Sequence, residues 1–321
     1  MCTSLSMNSG GFCFGRNMDI EFEFNADVVI MPRRYPIRFR KAGEIACHYA
    51  MTGTAMLAEG YPLYAEAINE KGLCMAGLSF PDSRLSDCGG HGVGISPFEL
   101  IPWVLSQCAD ISEARALLQR TSLIAIPFSE SIPLTPLHWH IADKNGAIVL
   151  ESTADGVRIY DDPVGVLTNS PPFTFHLTNL RQYLHLSPEY PDSVTFGKTV
   201  LSPYGRGFGA IGLPGDFSPA SRYVRAAYLK LNSPEASSEN DLIMQTLHIL
   251  RNVAMPHGSV QTQDDRNERT DYSCCMSGSV YYFCGYNDSS LCAVDMSHER
   301  LDGYTLIVYT KVSDFSPKRL N

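Results

Sequence analysis

The chain contains no apolar run that approaches the roughly 18 residues needed to cross a bilayer. Its first residues include neither a basic segment nor an apolar one behind it, so nothing there reads as a secretory signal. The start is consistent with a cytoplasmic enzyme that loses only Met1. Clustered Lys and Arg are also missing. The 25 basic residues are scattered among 34 acidic ones, for a net charge of −9, which argues against a nucleic-acid surface. The ten cysteines include no paired C-x-x-C spacing of the kind that binds zinc. Without a signal they are expected to be reduced. Cys274, Cys275, Cys284 and Cys292 therefore read as structural thiols on strands, and a zinc-binding structural protein is the weaker reading. No long Ser/Gly or charged linker interrupts the chain between Met1 and Val312. With 321 residues, 44% of them apolar, it is expected to form a single domain over residues 1–321.

Strand patterns are plentiful and do not alternate regularly with helices. They run over Gly11–Phe14, Val28–Met31, Leu73–Leu78, Leu137–Ala142, Ile148–Ser152, Val157–Tyr160 and Val166–Asn169. A second set covers Tyr272–Met276, Val280–Phe283, Leu291–Val294 and Thr305–Tyr309. Short turns such as Asp143-Lys144-Asn145-Gly146 point to antiparallel hairpins. Helix starts are marked at Ser96-Pro97-Phe98-Glu99, at Asp110 with Glu113, at Ser218-Pro219, and at Asn240 or a nearby Ser. The last helix carries Ile243, Leu247, Leu250 and Val253 on one face. Strands, a helix pair, strands, a helix pair and strands again predict an α+β fold: two mostly antiparallel sheets face to face, with helices outside.

The second residue carries the most chemistry. Removal of Met1 makes Cys2 the first residue, with a thiol and a free α-amine on one backbone. An α-amine titrates near about 7.7–8.0 and a thiol near about 8.5, so the two can exchange a proton close to neutrality. A nucleophile served by its own amine is an established catalytic device. Arg16 and Asp19 lie three apart in Gly15-Arg16-Asn17-Met18-Asp19, a segment that reads as turn-like and lets them pair. They are either a polar anchor for Cys2 or a surface ion pair. Asn169 is either an oxyanion donor or a turn former before Ser170-Pro171. Arg222 is either a fixed fork for a catalytic group or a solvated helix residue. Gly207-Phe208-Gly209-Ala210-Ile211-Gly212 matches the dinucleotide string but lacks its strand–turn–helix context, so it reads as a loop. His138 and His140 share a strand face and read as packing or hydrogen-bonding residues rather than metal ligands.

Taken in order, Met1-Cys2-Thr3, Phe14-Gly15-Arg16-Asn17-Met18-Asp19, Asn69-Glu70-Lys71-Gly72-Leu73, Leu167-Thr168-Asn169-Ser170-Pro171, Gly212-Leu213-Pro214-Gly215-Asp216 and Pro219-Ala220-Ser221-Arg222 form a combined signature. The chain resembles the choloylglycine hydrolase family of conjugated bile salt hydrolases and penicillin V acylases. The resemblance runs from Cys2 to about Leu301-Asp302-Gly303. It implies an N-terminal nucleophile hydrolase with a four-layer αββα sandwich, no cofactor or metal, and a homotetramer. It also implies amide hydrolysis through a thioester on Cys2, flanked by Arg16 and Asp19. Asn169 and the backbone N–H of Ser79 would be oxyanion donors, and Arg222 would complete the network. Bile salt hydrolases usually carry Asn at the Ser79 position and many penicillin V acylases Tyr, so this residue departs from both patterns. The loop Ile126–Pro133 looks like the bile-salt branch and is expected to face the surface. Met18, Phe24, Phe128 and Ile132 are candidates for a steroid pocket. The resulting expectation is cleavage of glycine- or taurine-conjugated bile acids. The alternatives are a penicillin V or acyl-homoserine lactone acylase of the same mechanism, and a silent bile-salt-binding protein.

Overall fold

The computed structural model describes residues 1–85, 92–313, 315–316 and 319–320. Two large sheets dominate. Their strands, in chain order, are β1 (Cys2–Asn8), β2 (Phe12–Ile20), β3 (Asp27–Met31), β4 (Met51–Ala58), β5 (Tyr61–Asn69), β6 (Cys74–Ser79), β7 (Leu137–Asp143), β8 (Gly146–Thr153), β9 (Gly156–Asp161), β10 (Val166–Leu167), β11 (Val260–Gln261), β12 (Asn267–Ser277), β13 (Val280–Gly285), β14 (Cys292–Asp295) and β15 (Ile307–Tyr309). One sheet runs β10-β1-β2-β12-β13-β14, with β11 on the flank of β12. The other runs β9-β8-β7-β6-β5-β4-β3-β15. Every pairing within the two sheets is antiparallel.

The period-2 geometry of a strand explains the layers. In the second sheet Val28, Ile30, Cys74, Ala76, Leu78 and Val149 join the core between the sheets. Their neighbours Val29, Met31, Met75, Ile148 and Leu150 face the other way, onto helices α1 (Leu100–Leu105) and α2 (Ile111–Leu118). The first sheet is covered on its outer side by α4 (Pro219–Leu231) and α5 (Glu239–Asn252); a shorter helix, α3 (Phe173–Asn179), precedes them. The result is the expected αββα sandwich. Both sheets are covered on both faces, so strands such as β3 and β6 read as apolar runs rather than as an alternation.

The helix signals fall where the sequence puts them. Ser96 and Glu99 form a capping box, Asp110 caps α2, and Ser218 caps α4 with Pro219 in its first turn. Ser238 caps α5. Ile243, Leu247, Leu250 and Val253 are all buried.

Three central strands carry no clear signal. β1 reads CTSLSMN, yet all of its residues except Asn8 are buried, because Ser and Thr here lie inside the protein. Strand β4 contains Gly53, where a Cβ would fall 2.0 Å from the Glu66 carbonyl oxygen. Only glycine lets β5 approach this closely. β5 itself carries Pro62 and Glu66, which disguise it.

The turn expected at residues 15–19 is instead the middle of β2. On a strand, residues three apart point to opposite faces, so Arg16 and Asp19 do not pair. Replacing the fully buried Phe14, which packs against the His140 ring at 5.1 Å, with Ala is expected to cost about 3–5 kcal/mol in urea unfolding.

Candidate active site

Strand parity sets the geometry around Cys2. Cys2 lies opposite Met18, and Ser4 opposite Arg16, in the β1–β2 ladder. The Cys2, Met18 and Arg16 side chains therefore share the face toward the second sheet. There Arg16 Nη2 donates to the Cys2 thiol at 3.2 Å, and Arg16 Nη1 pairs with the fully buried Glu66 of β5. Asn17 and Asp19 share the opposite face, toward the helices. Asn17 Nδ2 donates to the Leu250 carbonyl of α5 at 2.8 Å. Asp19 Oδ1 accepts from the Thr270 hydroxyl at 2.5 Å, and its Oδ2 lies 3.7 Å from Arg222 Nη1.

Arg222 is not a solvated helix residue. It is fully buried in the first turn of α4, whose start is pinned by Asp216: Ser218 N–H donates to Asp216 Oδ1 at 2.9 Å, and the Ser221 hydroxyl to Oδ2 at 2.6 Å. From there its guanidinium reaches the backbone of Cys2. Nη1 donates to the Cys2 carbonyl and to the Thr3 hydroxyl, both at 2.6 Å, and Nη2 donates to Asn169 Oδ1 at 2.6 Å. Asn169 Oδ1 also accepts from Cys2 N–H at 2.9 Å, and its Nδ2 donates to the Ser79 carbonyl at 2.8 Å. His176 Nε2 lies 2.8 Å from the Asn169 carbonyl, and the His176 ring stacks on Tyr223 at 4.9 Å. One side-chain amide thus ties together β1, the end of β6 and helix α4.

Burial dominates the electrostatics. It pushes the Asp19 carboxyl up from its usual range, against the pull of Arg222, and pushes the Arg222 guanidinium down. For Glu66 burial is outweighed by Arg16, Lys311 and the hydroxyls of Tyr281 and Tyr272, so its carboxyl lies below the ordinary value. Burial also opposes the charge on Arg16, but Cys2 and Glu66 more than compensate.

Met1 occupies the approach to this centre. Its amine pairs with the Glu268 carboxylate and donates to the Asp19 carbonyl at 2.7 Å, and its own carbonyl accepts from Asp19 N–H at 3.0 Å.

Beside Cys2 opens a cavity of about 430 Å³, lined by Met18, Phe24, Phe128 and Ile132, and also by Ser79 and Phe22. All four residues singled out for a steroid pocket therefore border it. The Ile126–Pro133 loop is less exposed than expected at one point. Phe128 is buried, edge-on to Phe98 at 5.3 Å and 5.4 Å from the Arg40 guanidinium. His138 is stacked on Phe80 at 4.4 Å and contacts Glu151, and His140 contacts Ser4 Oγ at 2.8 Å, so both are core residues. Among the described residues no group of three or more His, Cys, Asp or Glu is arranged to hold a metal ion. The sequence reading missed Glu66, Glu268, Thr270 and Tyr272. A lone carboxylate inside the apolar stretch Tyr61–Asn69 was the available signal for Glu66, since an unpaired charge is not buried.

A four-layer αββα sandwich with a buried cysteine at residue 2 of an inner strand, facing a cavity, is the arrangement of the N-terminal nucleophile hydrolases. Residues 2–309 match the linear amide C–N hydrolases of the choloylglycine hydrolase family, and the chain belongs to that family. It is 45% identical to a bile salt hydrolase/transferase of Lactiplantibacillus plantarum, over 96% of each chain. Its fold superposes on the C2A mutant of conjugated bile acid hydrolase from Clostridium perfringens with a TM-score of 0.92 and 36% identity, covering 100% of both chains. Penicillin V acylase from Agrobacterium tumefaciens shares the fold at a TM-score of 0.78 and 19% identity, over 96% of this chain and 91% of that one.

Replacing Arg222 with Ala strands Asp19 without its buried cation. The expected cost is about 3–5 kcal/mol in urea unfolding, well above that of an exposed ion pair.

Proposed function

We propose that this amide hydrolase deconjugates bile salts, using Cys2 as an N-terminal nucleophile once Met1 has been removed. The observation that carries the reading is the Cys2 thiol, held by Arg16 at the mouth of a cavity whose walls are largely apolar. A volume of about 430 Å³ lies within the range that takes a drug-sized apolar molecule. Two of the relatives named above are a bile salt hydrolase/transferase and a conjugated bile acid hydrolase, and they match nearly the whole chain.

In the proposed reaction Cys2 Sγ attacks the amide carbonyl and its proton passes to the α-amine. Asn169 accepts through Oδ1 from Cys2 N–H and Arg222, and spends one Nδ2 hydrogen on Ser79. Its second Nδ2 hydrogen and the Ser79 N–H are the donors we assign to the oxyanion. The C–N bond then breaks, and the α-ammonium gives its proton to the departing glycine or taurine nitrogen. Water attacks the thioester with the amine again as base, releasing the bile acid and restoring the thiol. Asp19 and Arg222 fix the backbone that carries the amine. The names of the relatives include transferase; an amino-acid amine in place of water would give that outcome from the same thioester.

The cytoplasmic location and the homotetramer belong to this reading. The tetramer draws support from a hairpin, residues 194–196 paired with 199–201, that projects with every residue exposed. Phe196 is 75% exposed, and nearby Leu184 and Tyr204 are 85% and 94% exposed. Apolar surface of this extent fits a contact with another copy. Deletion of residues 194–201 is expected to lower the mass seen in light scattering; an unchanged oligomer would show that the hairpin serves another purpose.

Amine release from glycocholate, taurocholate and penicillin V, measured side by side, tests the function. Release from the bile salts, lost in a folded Cys2→Ala variant, is expected. Release from penicillin V alone would transfer the chain to the acylase reading. Activity retained in Cys2→Ala would remove the mechanism.

A further inference from the structure

Beneath the nucleophile lies a buried carboxylate that the site signature does not include. Glu66 is fully buried on β5 and borders Arg16 rather than the cavity. Three side chains converge on it. Arg16 Nη1 pairs with Oε2, the Tyr272 hydroxyl donates to both oxygens at 2.9 and 3.0 Å, and the Tyr281 hydroxyl donates to Oε1 at 2.6 Å. Behind this ring stands Lys311, whose Nζ donates to Thr54 Oγ1 at 2.8 Å and lies 3.8 Å from the centre of the Tyr272 ring. Thr54 Oγ1 and the Tyr281 hydroxyl are 2.5 Å apart, so Lys311 reaches the carboxylate through them.

Arg16 is therefore one cation between two acceptors. Nη1 is committed to Glu66 and Nη2 to the Cys2 thiol. We propose that Glu66 is a positioning residue: it fixes the Arg16 fork in register with Cys2 and, by sharing the guanidinium charge, sets how readily the thiol reacts. The sharing has a purpose in the reaction. A guanidinium with no other anion would hold Cys2 as a tight ion pair, and a thiolate so held has no proton to hand to the amine. Glu66 neutralises enough of that charge to keep the fork in place while the thiol keeps the proton it must pass to the amine. A buried Arg–carboxylate pair of this kind is weak evidence for stability alone, because the cost of desolvating both ions offsets their attraction. The other charged or titratable groups around the pair are Tyr272, Tyr281, Cys274 and Lys311 on the Glu66 side, and Asp19, Arg222 and Glu268 near the Cys2 backbone.

The inference rests on Cys2 being the nucleophile but not on the substrate, so its test uses none. The rate of Cys2 alkylation by iodoacetamide at about pH 6 is followed peptide by peptide, which separates Cys2 from the exposed Cys47 and Cys292. Glu66→Gln keeps the shape and an acceptor for Arg16 while removing the competing charge. Alkylation is expected to quicken about tenfold, the effect of a like charge removed nearby. An unchanged or slower rate in the folded variant would overturn the proposal, since a merely structural Glu66 gives the former and a displaced Arg16 the latter. Should Glu66→Gln not fold, Tyr281→Phe removes one donor from Glu66 and sharpens its hold on Arg16. Alkylation is then expected to slow, and a rate equal to or above wild type would overturn the proposal. A bile-salt assay that fails while alkylation responds as expected would reject the substrate and not the role of Glu66.

Discussion

The structure around Cys2 depends on one buried cation, Arg222. Its guanidinium reaches from helix α4 to the Cys2 carbonyl, the Thr3 hydroxyl and Asn169 Oδ1, with Asp19 3.7 Å away. A helix of the outer layer thereby holds the first strand of the inner sheet by its backbone. That choice of contact matters, because it immobilises the Cys2 main chain and leaves the side chain to Arg16 and the cavity. Burying a guanidinium costs several kcal/mol, which only a set of well-placed acceptors offsets. Asp216 and Ser218 fix the α4 start so that this one side chain points inward.

Strand parity then divides the work between the two faces of β2. Arg16 meets the thiol from the inter-sheet side, and Asp19 meets Arg222 on the helix side. Two residues three apart in sequence thus act from opposite faces of one strand, Arg16 on Cys2 and Asp19 on Arg222. Met1 sits where the amine of Cys2 would emerge, with its own amine held by Glu268. Removal of Met1 makes Cys2 N the terminal amine, which Asn169 Oδ1 already contacts at 2.9 Å, and releases Glu268 and the Asp19 backbone from Met1.

The sequence was legible where local chemistry decides. Helix caps at Ser96, Asp110 and Ser218 work through neighbouring backbone groups, so a few letters suffice to place them. The hairpin β7–β8 announces itself through Asp143-Lys144-Asn145-Gly146 in the same way. The five polar residues Cys2, Arg16, Asp19, Asn169 and Arg222 were legible as a combined signature, and the structure brings them together: hydrogen bonds join Cys2, Arg16, Asn169 and Arg222, and Asp19 lies 3.7 Å from Arg222. What stayed hidden depends on long-range packing. β1 looks like a polar tail and is a buried inner strand, because Thr3, Ser4 and Ser6 face interior partners drawn from distant segments. Glu66 lies 50 residues from Arg16 in the chain, and no spacing rule joins them. The Arg16–Asp19 pairing failed for the opposite reason: proximity in sequence was read without the parity of the strand that carries it.

The central claim is that Cys2, freed of Met1, carries the acyl group during turnover. Rapid acid quench of the enzyme turning over glycocholate, followed by peptide mass spectrometry, tests it directly. The account predicts a peptide that begins at Cys2 and is heavier by one bile-acyl group in thioester linkage, and that vanishes on treatment with hydroxylamine. Steady glycocholate hydrolysis by a chain whose N-terminal peptide still begins with Met1, or with the acyl group found on another residue, would contradict it.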